Sequence, residues 1–91
     1  MRSIAVVVQA CPAPGRFGWP DVQASIEASD IGQNYEALFQ PPELSIREHF
    51  LATLRRGAET GADLVLRLED DVDVNQHILH NLQTWPALDD A

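Results

Sequence analysis

The chain has 91 residues, 45% of them apolar and 22% charged, which suits one globular domain spanning 1–91. Its 14 acidic residues against six arginines and no lysine give a formal charge of −8, which argues against a nucleic-acid binder or a basic membrane-surface helix. The longest apolar run, Ile4 to Val8, is too short for a membrane span (about 18 residues) or a signal-peptide core (about 7–15), and a single cysteine, Cys11, permits no internal disulfide. An intracellular, cytoplasmic protein is therefore the expectation. So small a chain is expected to be marginal, a homo-oligomer, or a piece of something larger.

Ile4 to Val8 is a continuous β-branched run, as in a strand covered on both faces of a parallel sheet. A Pro- and Gly-rich loop, Cys11 to Gly18, follows. Pro20 suits a first helical position, Val22, Ile26 and Ser29 recur at helical spacing, and Gly32 can end that helix. Tyr35 to Phe39 reads as a second strand stopped by Pro41 and Pro42.

Ser45-Ile46-Arg47-Glu48 is a capping box that opens a second helix. Spacing of four predicts an inner face of Ile46, Phe50, Leu54 and Ala58, with Gly61 as the stop. Gly57 inside it costs about 1 kcal/mol relative to Ala, which predicts a loose last turn. Asp63 to Leu68 is the third strand, with Leu64, Leu66 and Leu68 on one face and Val65, Arg67 and Glu69 on the other. A last helix is predicted from Val74 or Gln76 to Trp85, with Ile78, Leu79 and Leu82 inward. The order β-α-β-α-β-α implies an α/β, three-layer, Rossmann-like parallel sheet of order 2-1-3, strand one central.

The conspicuous constellation is Glu69-Asp70-Asp71-Val72-Asp73 at the carboxyl end of the third strand. Four carboxylates in five residues repel one another, and their hard oxygens suit Mg²⁺ or Mn²⁺. The plain alternative is a solvated acidic turn in which Asp73 or Asn75 caps the last helix. An EF-hand loop does not fit, because Gln76 stands where the turn glycine belongs and Leu82 where the bidentate Glu belongs. With strand one central, the loop after strand one and the acidic loop after strand three face each other across a topological switch point. Such a crevice suits a nucleoside diphosphate bridged by a cation.

The segment Asp63-Leu-Val-Leu-Arg-Leu-Glu-Asp-Asp-Val72 resembles the strand and acidic motif of GT-A-fold glycosyltransferases. It is particularly similar to the Leu-Glu-Asp-Asp-hydrophobic form in the N-acetylglucosaminyltransferases that branch N-glycans and in family 25-type enzymes. The preceding helix and turn, Glu48 to Asp63, and more weakly strand one with Val22–Ser29, extend the resemblance. Strand one departs from it, ending in Gln9-Ala10-Cys11-Pro12, and strand two lacks the acidic residue that many members carry at its end.

The resemblance implies the first half of a GT-A-like fold that binds a nucleoside diphosphate sugar through Mn²⁺ or Mg²⁺. Asp71 would be the metal ligand. Glu69 and Asp70 would contact the sugar or ribose. From the facing of the two loops, Gln9, Ala10 and Arg16 are expected on the nucleotide side, with a solvated loop arginine an equal expectation for Arg16. The acceptor is unspecified. The family's acceptor half, which usually holds the general base, has no counterpart here, so the resemblance implies no transfer by these residues alone. The rival expectations are a non-catalytic nucleotide- or metal-binding module, or a small structural α/β domain that needs a partner.

Other residues invite plainer readings. His77 and His80 share a helix face and could reach the acidic loop, but surface side chains are the simpler expectation. His49 has no evident partner, and Cys11 has no His-Asp pair to activate it. Arg67 is expected to pair with Glu69 or Glu36. Phe17, Trp19 and Trp85 could stack on a base or staple loops, and use in the core is the plainer expectation.

Overall fold

The computed structural model describes residues 2–10, 19–39, 43–70 and 73–86. Three strands and three helices alternate: β1 Ile4–Ala10, α1 Trp19–Ala28, β2 Glu36–Phe39, α2 Ile46–Glu59, β3 Leu64–Glu69 and α3 Ile78–Gln83. The sheet is parallel with order β2-β1-β3, as the alternation predicts. The architecture is α/β and Rossmann-like. No helix among the described residues is long and apolar enough to cross a membrane.

Central position explains the composition of β1. Val6, Val7 and Val8 are all buried, because helices cover both faces. Val6 and Val8 pack with Val22 and Ile26 of α1 and with Ile31; Leu66, Leu68, Ile78 and Leu79 close around them. Val7 points to the opposite face, where α2 lies across β1 and β3. Strand order dictates this division, since right-handed crossovers running in opposite directions from β1 put α1 and α2 on opposite faces.

At the amino ends of the strands, Ser3 and Asp63 lock the β1–β3 register. The Ser3 amide donates to Asp63 Oδ2 at 2.9 Å, and the Asp63 amide donates to Ser3 Oγ at 2.9 Å. At the amino end of β2, Arg56 of α2 reaches Glu36 at 2.7 Å.

The capping box of α2 forms as expected: the Glu48 amide donates to Ser45 Oγ and the Ser45 amide to Glu48 Oε1, both at 3.1 Å. Gly61 at φ +75° follows the C-cap, a conformation that side chains with a Cβ rarely adopt.

The inner face of α2 is different from the expected one. Ile46 is 71% exposed, Leu54 and Ala58 are exposed, and Phe50 is half-buried. His49, Thr53 and Gly57 form the buried stripe instead. Close approach to the sheet is the reason. A Cβ on Gly57 would collide with both methyls of Val65, so glycine lets the helix settle onto β3. Gly57 therefore marks a packing contact, not a loose turn. The polar residues of the stripe are satisfied locally: Thr53 Oγ1 donates to Phe50 O at 2.6 Å, and His49 Nε2 lies 2.9 Å from Leu38 O. That carbonyl can only accept, so Nε2 carries the proton. His49 thus has a partner, although its Nδ1 is buried without one.

The last helix is shorter than expected, and residues 74–77 precede it. The Asn75 side chain accepts the His77 amide at 2.8 Å, making a turn that delays the helix to Ile78. Neither Asp73 nor Asn75 is the N-cap. His77 occupies that position without a side-chain cap bond, and a carboxylate from elsewhere does the capping: Asp30, in the turn after α1, accepts the amides of Leu79 and His80, each at 2.8 Å.

Candidate functional site

The carboxyl ends of β1 and β3 lie side by side, with Gln9 and Glu69 direct partners in the ladder. From this edge the chain leaves β1 before residues 11–18 and leaves β3 at the start of the acidic segment. It is the switch point of the sheet, because β1 has β2 on one side and β3 on the other.

Arg67 ties the two strand ends together. Its Nη1 donates to Gln9 Oε1 at 2.7 Å and its Nη2 to Glu69 Oε1 at 3.1 Å, while the guanidinium carbon lies 4.3 Å from the centroid of the Phe50 ring. The Arg67 side chain is only 19% exposed, so its charge works in a partly desolvated setting where hydrogen bonds to it are stronger. Of the two acidic partners expected for Arg67, Glu69 is the actual one. Glu36 is taken by Arg56.

Of the sequence-derived site residues, Gln9 and Glu69 are brought together. Ala10 ends β1 fully buried, paired in register with Phe39, and its methyl offers no surface to a ligand. Asp70 follows β3 directly and is half-buried. Arg16 and Asp71 lie outside the described residues, as do Cys11 and Phe17.

Asp73 turns toward α1. Ser25 Oγ donates to Asp73 Oδ1 at 3.1 Å and accepts the Val74 amide at 2.9 Å, so the end of the acidic segment is anchored to α1. His77 and His80 are both exposed. Among the described residues, no three His, Cys, Asp or Glu side chains gather around one cation position.

Trp19 packs edge-on against Tyr35 and Phe39, with ring centroids 6.1 and 5.6 Å apart. It joins the start of α1 to β2 and packs against the core, the plainer of the uses expected for it. Two features of the site escaped the sequence reading: the Arg67–Gln9 bond and the Ser25–Asp73 anchor. The first had a signal, because with β3 beside β1 an arginine on β3 reaches a cross-strand neighbour on the same face. The second had none.

Compared with protein-family models, curated proteins and solved structures, the chain matches none.

Proposed function

We propose that the chain is the nucleotide-sugar-binding portion of a GT-A-like glycosyltransferase, taking a nucleoside diphosphate sugar with Mn²⁺ or Mg²⁺. The observation that carries this reading is the juxtaposition of Gln9 and Glu69 at the switch point, with the Glu-Asp-Asp segment continuing from Glu69.

In this reading Asp71 holds the cation, Glu69 and Asp70 contact the sugar or ribose, and Gln9 and Arg16 border the nucleotide. The backbone at Ala10 would border it too, its side chain being buried. Arg67 orients Glu69 by holding one of its oxygens, and orients Gln9 from the same guanidinium. The bound cation would supply charge neutralisation of the leaving diphosphate. Magnesium usually takes only one or two protein carboxylates and fills its remaining positions with phosphate and water. A site with Asp71 as its main protein ligand is consistent with that habit.

A second reading is a small structural domain or a non-catalytic binding module. The engagement of Glu69 by Arg67 and of Asp73 by Ser25 favours it, since both carboxylates already have work within the fold.

Titration of a labelled nucleoside diphosphate sugar, with and without Mn²⁺, separates a cation-dependent nucleotide site from a purely structural domain. Saturable binding that appears only with the cation supports the transferase-derived site. Absence of binding under both conditions leaves the structural reading.

A further inference from the structure

Two supports that carry no charge fix the Arg67 guanidinium. The Phe50 ring of α2 faces it, with the guanidinium carbon 4.3 Å from the ring centroid, and Gln9 Oε1 of β1 accepts its Nη1 at 2.7 Å. Under these supports the Arg67 side chain is only 19% exposed. Glu69 is a different kind of partner. It takes one bond from Nη2 at 3.1 Å, and its own side chain is 56% exposed. A guanidinium has five N–H donors in a rigid fork, and these two bonds engage one donor on each Nη.

The partners differ in how readily they can be exchanged. An exposed ion pair is worth little, because water solvates the carboxylate nearly as well as the arginine does. Glu69 can therefore swing away at small cost. The guanidinium cannot follow it without leaving both Phe50 and Gln9. A fixed, partly desolvated guanidinium covered by an exchangeable carboxylate is an oxyanion position filled by the protein's own side chain. Its place in the fold agrees: it lies at the carboxyl ends of β1 and β3, at the switch point where open α/β sheets take ligands.

We propose that Arg67 is an anion-binding residue for a phosphate group, and that Glu69 holds its position until the ligand displaces it. Phosphate is the class of anion that wins this exchange. It brings about 1.5–2 negative charges at pH 7 and three acceptor oxygens, against the single charge of the carboxylate it replaces. The planar fork of arginine matches that arrangement of oxygens. Glu69 is then an autoinhibitory partner that keeps weak anions off the guanidinium. The site needs neither a cation nor a sugar, so it does not rest on the glycosyltransferase reading.

The probe is pyrophosphate without divalent cation, followed by calorimetry at constant ionic strength. Glu69→Ala removes the competitor and should bind pyrophosphate more tightly than the unmodified chain does. The expected gain is on the order of five-fold, the weight of an exposed ion pair. Acetate should bind both chains more weakly than pyrophosphate. Arg67→Gln added to Glu69→Ala should abolish the gain. Magnetic resonance keeps the test decisive if that double variant does not fold. Pyrophosphate added to Glu69→Ala should shift the Arg67 Nε–H and the Gln9 side-chain amide signals and leave those of Arg47 and Arg55 in place. Pyrophosphate binding by Glu69→Ala that is no tighter than by the unmodified chain would overturn the proposal. So would acetate binding as tightly as pyrophosphate, or stationary Arg67 and Gln9 signals. No cation or nucleoside diphosphate sugar enters these outcomes, so they are independent of the proposed function.

Discussion

Asp30 and Leu79, 49 residues apart in sequence, are joined by a 2.8 Å bond from the Leu79 amide to the Asp30 carboxylate, and the next amide, His80, takes the second oxygen. These are the second and third amides of α3, the donors that a helix start leaves unpaired. A carboxylate there also meets the positive end of the helix dipole. The turn after α1 thus acts as the cap of a helix that has none of its own.

Asp30→Ala should therefore destabilise the domain by about 1 kcal/mol, the usual worth of a cap. Asp73→Ala should cost less, because among the described residues Asp73 takes only the exposed bond from Ser25. Chemical denaturation of the two variants beside the unmodified chain checks the order.

The pH dependence follows from the same contact. Partial desolvation pushes the Asp30 carboxyl up, but the amides of His80 and Leu79, its own amide and the nearby His77 outweigh it and hold it below the ordinary aspartate value. Asp63 is lowered likewise by the amide and hydroxyl of Ser3. A carboxyl lowered in the folded state binds its proton more readily when unfolded. Its contribution is complete above the unfolded value of about 3.9 and is lost as pH falls through the lower folded value. Stability measured from neutral pH downward should fall on that acid limb, and Asp30→Asn should flatten it.

Gly57→Ala runs against helix propensity. Alanine in a helix interior gains about 1 kcal/mol over glycine. Here the added methyl meets the stiff, branched Val65 side chain, and overpacking costs typically about 1–3 kcal/mol. The expected result is net destabilisation that Val65→Ala partly rescues. A double-mutant cycle on melting temperature checks the coupling.

Arg67→Met removes the guanidinium that lies over Phe50, together with its donors to Gln9 and Glu69. The partly buried bond to Gln9 dominates the cost, since exposed ion pairs such as that to Glu69 contribute little. A loss of roughly 1–3 kcal/mol is expected in urea unfolding.

The sequence makes the sheet legible because its cues are local or periodic. The Ile4–Val8 run demands a central strand, the Ser45–Glu48 box places the start of α2, and alternating Leu64, Leu66 and Leu68 identify the core face of β3. The inner face of α2 is hidden because hydrophobic spacing assumes that large apolar residues face the sheet. Here a close helix–strand contact is built on Gly57, and His49 and Thr53 are buried with hydrogen bonds. The capping of α3 is hidden because its carboxylate comes from a remote turn. At the site, strand order alone brings Gln9 to Glu69, whereas the Arg67–Gln9 bond depends on side-chain direction.

The most direct measurement of the proposed function is calorimetry of Mn²⁺-dependent nucleoside diphosphate sugar binding by the unmodified chain, Asp71→Asn and Asp73→Asn. A cation site predicts binding by the unmodified chain, its loss in Asp71→Asn and its retention in Asp73→Asn, whose side chain is anchored to Ser25. Equal binding by Asp71→Asn and the unmodified chain, or none by the unmodified chain, would contradict the account.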